Sequence, residues 1–142
     1  MLQGIILVLL IFMTSVLMID DDEDDLDLFH EAVLALDPKT EWKQSMDPKN
    51  VLSELKQRNS ARPDVIVLDL YMQQMSGLEF LSELKKIERL SNIPVVVFTG
   101  SEFLEDSRAC LSLGAASVIH KPSDWSEFLE TAKVILSNTN DE

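Results

Sequence analysis

With 142 residues the chain has the length of one domain of about 150 residues, and its 46% apolar content can supply one sizeable core. Four Gly, five Pro and 26% charged residues exclude collagen-like, low-complexity and wholly disordered chains. Twelve Lys and Arg against 25 Asp and Glu give a net charge of −13, which repels phosphate backbones and anionic lipid heads. No nucleic-acid partner is expected, and a basic partner or a metal cation fits better. The single cysteine, Cys110, has no partner for an internal disulfide, so a cytoplasmic location is expected.

Leu2 to Ile19 is almost continuously apolar, with Gln3, Thr14 and Ser15 as its polar residues. It holds no Lys or Arg, which argues against a signal peptide. A membrane-spanning helix needs roughly 20 residues and would have to consume Val16 to Ile19, which reads as the first core strand. Without that strand, residues 2–12 make about 17 Å of helix against a hydrocarbon core of about 30 Å. No span is expected. Residues 1–12 are read as an apolar N-terminal extension, upstream of a domain that starts at Met13.

From there, short apolar runs alternate with amphipathic stretches, the rhythm of βα units around a parallel sheet buried on both faces. Val16 to Ile19 leads into the acidic run Asp20 to Asp25, and Leu26, Phe29, Val33, Leu34 and Leu36 then recur at helical spacing. Acidic residues suit that helix start. Trp42, Gln44 and Met46 alternate with Glu41, Lys43 and Ser45, which predicts an edge strand. Asp47-Pro48 opens a second helix through about Asn59. Arg62-Pro63-Asp64 turns into a central strand, Val65 to Leu68, that ends at Asp69. A loop from Leu70 to Ser76 precedes helix three, whose predicted inward stripe is Leu78, Leu81, Leu84 and Ile87. Strand four, Val95 to Phe98, ends at Thr99-Gly100, and helix four covers about Glu102 to Leu113 with Gly114 as its C-terminal cap. Strand five, Ser117 to His120, ends at Lys121-Pro122. Helix five runs from Ser123 or Asp124 to about Ser137, and residues 138–142 form a short tail, so no output domain is expected.

In a doubly wound sheet, ligands bind beyond the carboxyl ends of the strands. Those ends carry Asp20-Asp21, Asp69, Thr99 and Lys121. Carboxylates about 4 Å apart repel by roughly 4 kcal/mol per pair at an effective dielectric of about 20, and a divalent ion relieves the strain. Oxygen ligands with room for water favour Mg²⁺. His30 and His120 lack metal-ligand spacing to each other or to Cys110, and the remaining acids of the 20–25 run read as a solvated cluster at the helix start.

The ordered motifs Ile19-Asp20-Asp21, Val65-Ile66-Val67-Leu68-Asp69, Val95 to Gly100 and Ile119-His120-Lys121-Pro122 resemble the response-regulator receiver family, over residues 13–137. The resemblance implies an α/β, flavodoxin-like sheet of five parallel strands in the order 2-1-3-4-5 with five helices. It also implies a stand-alone receiver in a two-component phosphorelay. Asp69 would be the phosphoacceptor. Asp21 would bind Mg²⁺ directly and Asp20 through water, and the Tyr71 backbone carbonyl would complete the protein ligands. Thr99 and Lys121 would contact the phosphoryl group, and the Lys121-Pro122 bond would be cis. The partners implied are a sensor histidine kinase or phosphotransfer protein and an unidentified downstream reader, on a face made by helix four, strand five and helix five.

Three positions depart from the family pattern. Gln73 stands where a proline is usual, Tyr71 is bulky where a small polar residue is frequent, and Val118 replaces a switching aromatic residue. These keep open a rival reading, a receiver-fold module that binds partners without phosphate. A haloacid-dehalogenase-type phosphatase needs a second acid two residues after the nucleophile, and Tyr71 stands there. A dinucleotide site needs glycines after the first strand, where the chain has Asp20 to Asp22.

Overall fold

The computed structural model describes residues 2–3, 13–100 and 104–139. Five parallel strands form one sheet in the order β2-β1-β3-β4-β5, the flavodoxin-like arrangement expected. In chain order the elements are β1 (Ser15–Ile19), α1 (Glu23–Leu36), β2 (Glu41–Ser45), α2 (Pro48–Leu55), β3 (Val65–Asp69), α3 (Gly77–Lys85), β4 (Val95–Thr99), α4 (Leu104–Ser112), β5 (Ser117–His120) and α5 (Trp125–Ser137). Most of the extension assigned to residues 1–12, the first residues of the predicted helix four and the last three of the tail lie outside the described residues.

The strand period of two sorts side chains onto two cores. Leu17, Ile19, Ile66, Leu68, Val95 and Val97 face α2, α3 and α4, whereas Val16, Met18, Val65, Val67, Val96 and Phe98 face α1 and α5. On the second face Phe29 of α1 packs against Phe98 and Phe128, with ring centroids 4.5 and 4.7 Å apart. Burial on both faces explains why β3 and β4 read as unbroken apolar runs. It also explains why β2, half-exposed at the edge, alternates instead.

Among the described residues, four helices begin at a side-chain cap. Asp22, Asp47, Ser76 and Asp124 accept hydrogen bonds from the backbone N–H groups of Asp24, Asn50, Glu79 and Glu127, which satisfies donors that the helix itself cannot. Gly114 follows α4 with φ of 98°, the left-handed geometry of a helix-terminating glycine.

Three expectations are corrected. The second helix ends at Leu55 rather than near Asn59, because the Arg89 guanidinium, far along the chain, takes the carbonyls of Leu55 and Gln57 and so caps the helix. The inward face of α3 is Gly77, Phe80, Leu81 and Leu84. Leu78 is partly buried beside that face and Ile87 sits in the turn after the helix, both packed against the core. On α1 the buried residues are Leu26, Phe29, Ala32 and Val33; Leu34 lies beside that arc and Leu36, at 39% exposure, largely outside it.

Candidate functional site

Backbone bonds beyond the strand ends bring the candidate residues to one edge of the sheet. The Asp20 N–H donates to the Ser45 carbonyl, Leu70 N–H to Phe98 and Lys121 N–H to Thr99, so β1, β3 and β5 each continue in register to the residue that follows them. Asp20, Asp69 and Thr99 are buried there, and Asp21 is half-exposed. The loop after β3 returns tightly to α3 through the Gly77 N–H on the Leu70 carbonyl, 2.8 Å. A Cβ at Gly77 would lie 2.5 Å from the Asp69 carbonyl oxygen, so glycine is what permits this approach beneath the site.

Asp20, Asp21 and Asp69 each offer one carboxylate oxygen within 4.8 Å of the others. Asp20 Oδ1 accepts the Asp22 N–H at 2.9 Å, and Asp21 Oδ2 accepts the Gln73 N–H at 3.2 Å, a bond that a proline at 73 could not make. Asp20 Oδ2 is fully buried with no hydrogen-bond partner among the described residues. A buried carboxylate oxygen without a hydrogen bond is costly, and with two further carboxylates beside it the donor set fits a hard divalent cation.

The charges bear the marks of that crowding. Burial, and then the nearby Asp69 and Asp25 carboxylates, outweigh the Asp22 N–H and Lys121 and push Asp20 up to about 7. Burial also raises Asp69, against the pull of Lys121. Lys121 is raised: burial would lower it, but the hydrogen bond to Asp25 and the charges of Asp20, Asp69 and Asp25 prevail. Its Nζ lies 2.9 Å from Asp25 Oδ2, 3.5 Å from Asp69 Oδ1 and 3.6 Å from Asp20 Oδ2.

Two functional-looking contacts have no counterpart in the sequence reading. Asp25, read there as part of a solvated run, holds Lys121; its only signal is a carboxylate in the first turn of α1, four residues after Asp21. The Tyr71 hydroxyl donates to Asp106 Oδ2 in the first turn of α4, a pairing across the chain that no local pattern announces. One implied feature is corrected: the Lys121-Pro122 bond is trans. Trans is the intrinsic preference of such bonds, and the ladder bond to Thr99 already carries Lys121 to the acids.

Against this geometry, the model of the response regulator receiver domain matches residues 16–133. The chain belongs to that family. The polar-differentiation response regulator DivK of Brucella anthropi is 30% identical over 124 residues, covering 87% of this chain and 97% of DivK. Among solved structures, the phosphorylated cyanobacterial phytochrome response regulator RcpA superposes with a TM-score of 0.79 at 28% identity, over 87% of this chain and 91% of RcpA. The Mn²⁺-bound response regulator Rcp1 gives 0.78 at 28% identity, over 87% and 92%. Receiver domains are signalling phosphoacceptors of two-component systems rather than turnover enzymes, bind Mg²⁺ at an acidic pocket, and interact with histidine kinases or phosphotransfer proteins. No described helix of this receiver is long and apolar enough to cross a membrane.

Proposed function

We propose that this receiver accepts a phosphoryl group on Asp69 from a histidine kinase or phosphotransfer protein and signals through phosphorylation-dependent binding of a separate protein. The observation that carries the reading is the Asp20, Asp21 and Asp69 cluster with the Lys121 ammonium 3.5 Å from Asp69, all at the carboxyl edge of the sheet. An Asp69 carboxylate oxygen attacks phosphorus, the bond to the donor's leaving nitrogen or oxygen breaks, and the leaving group departs with its electron pair. Lys121 stabilises negative charge on the transferred oxygens, and the Thr99 hydroxyl donates to the acyl phosphate once it has formed.

Asp20, Asp21, Asp69 and the Tyr71 carbonyl would hold Mg²⁺. When bound, the ion supplies positive charge to the carboxylates and to the incoming phosphoryl oxygens. The reader face is assigned to α4, β5 and α5, where Leu104, Leu111 and Trp125 are exposed. The location is cytoplasmic. The receiver on this reading spans residues 13–137, which is supported at its start by the Glu41 N–H donating to the Thr14 carbonyl. A chain beginning at Met13 should therefore unfold within a few degrees of the full chain, and a large loss would put residues 1–12 in the core.

The deciding experiment is incubation with acetyl phosphate or phosphoramidate, with Mg²⁺ or with chelator, followed by intact mass. One phosphoryl addition is expected with Mg²⁺ alone, and none in Asp69→Asn. Equal addition in chelator or in the variant refutes the assignment. No addition to the wild type would favour the phosphate-independent interaction module.

A further inference from the structure

Lys121 faces three acids and hydrogen-bonds the one outside the metal cluster. Its Nζ donates to Asp25 Oδ2 at 2.9 Å but stands 3.5 Å from Asp69 Oδ1 and 3.6 Å from Asp20 Oδ2, although that Asp20 oxygen is buried without a hydrogen-bond partner among the described residues. The stem is flexible and the ammonium carries three donors. A shift of less than about 1 Å would bring it to the usual charge-assisted distance from a buried carboxylate. Asp25, in the first turn of α1 and about as accessible as the lysine, is the contact that opposes the shift.

We propose that Asp25 is a positioning residue that holds the Lys121 ammonium aside, so that the Asp20, Asp21 and Asp69 cluster stays open to a divalent cation. An ammonium seated on the two buried acids would act as their internal counter-ion and compete with any external one. Anchored on Asp25, it remains close enough to meet a phosphoryl group on Asp69 and far enough to leave the carboxylates to the metal. The inference rests on the reading that the cluster takes Mg²⁺, and it adds a residue with no place in that cluster.

The acid could also act merely as one more negative charge near the site. Asp24 separates the two cases, because it is exposed in the same helical turn and its side chain makes no ion pair with Lys121. Mg²⁺ affinity is measured by titration calorimetry on the full chain without phosphodonor, for wild type, Asp25→Asn and Asp24→Asn, and for the same changes in a Lys121→Met background. Asp25→Asn should weaken Mg²⁺ binding by about 10–100-fold, the usual cost of losing a group that orients a metal site. Asp24→Asn should cost less than about threefold, as a screened surface charge. In the Lys121→Met background the Asp25 effect should shrink to that of Asp24. Equal losses in the two single variants, or a full Asp25 effect without the lysine, overturn the inference. Wild type that binds Mg²⁺ but gains no phosphoryl mass refutes the phosphoacceptor reading and leaves this one standing; wild type that binds no Mg²⁺ overturns both.

Discussion

The region around β3 and α3 and the edge formed by β5 and α4 are built to different tolerances. On the β1 and β3 side, every residue of β3 is buried and α3 drives Gly77, Phe80, Leu81 and Leu84 inward. On the far side, β5 is half-buried at the edge and α4 buries Cys110 alone among its residues, while Leu104 and Leu111 are 62% and 51% exposed. The carboxylates belong to the first half, and Thr99 and Lys121 project from the end of β4 and from beyond β5. The charge cluster thus sits at the ends of largely buried strands, whereas Lys121 follows an edge strand beside a helix with little burial to lose on moving.

Core truncation should break the comparison most visibly. Phe80→Ala removes a fully buried ring from the rigid half and should cost about 3–5 kcal/mol, whereas Leu111→Ala on α4 should stay within about 0.5 kcal/mol. Urea unfolding of both variants is the check. Similar losses would mean that α4 is held as firmly as α3.

A smaller effect follows from charge in the rigid half. Asp20, pushed up to about 7 from an ordinary value of 3.8, binds more protons folded than unfolded between those limits. Stability without metal therefore falls as pH rises through that window. Asp69, raised as well, adds to the fall, while raised Lys121 contributes stability that is lost only above its ordinary value of 10.5. The melting temperature in chelator should drop from pH 5 to pH 8, by about 4 °C for each kcal/mol at this chain length. Mg²⁺ should restore more at pH 8 than at pH 5, and Asp20→Asn should flatten the profile. A chelated protein that is more stable at pH 8 would show that the acids are not strained.

The sequence reading succeeded and failed along physical lines. Val65 to Leu68 and Val95 to Phe98 were legible as strands because burial on both faces leaves no polar position; Asp69 and Thr99 directly end such runs, whereas Lys121 follows the half-buried, partly polar β5. The end of α2 was not, since Arg89 supplies the cap from 32 residues beyond Gln57. Nor was the pairing of Asp25 with Lys121, 96 residues apart, because an acid at a helix start has an adequate local explanation. Side-chain partners chosen across the fold leave no period in the chain.

The smallest expected effect concerns the strap between the halves. Tyr71 lies two residues after Asp69, and its hydroxyl donates to Asp106 in the first turn of α4, which draws the ring from the end of β3 towards the helix that follows β4. Hydrolysis of an acyl phosphate on Asp69 needs water in line with phosphorus and the Asp69 oxygen, and approach geometry of that kind is worth several kcal/mol. A ring anchored at its far end obstructs that approach better than a free one, although Tyr71 itself remains 54% exposed. Phosphoryl loss is measured without kinase at equal Mg²⁺ in wild type, Tyr71→Phe, Tyr71→Asn and Tyr71→Ala. Asn and Ala remove the ring and should lose phosphate fastest, by roughly tenfold for each 1.36 kcal/mol of barrier removed. Phe keeps the ring and loses only its anchor, a hydrogen bond worth about 1 kcal/mol, so its rate should fall between wild type and Ala. If Phe matches Ala, the bond to Asp106 rather than the bulk of the ring sets the lifetime. If all three match wild type, Tyr71 ties the halves together without guarding the site.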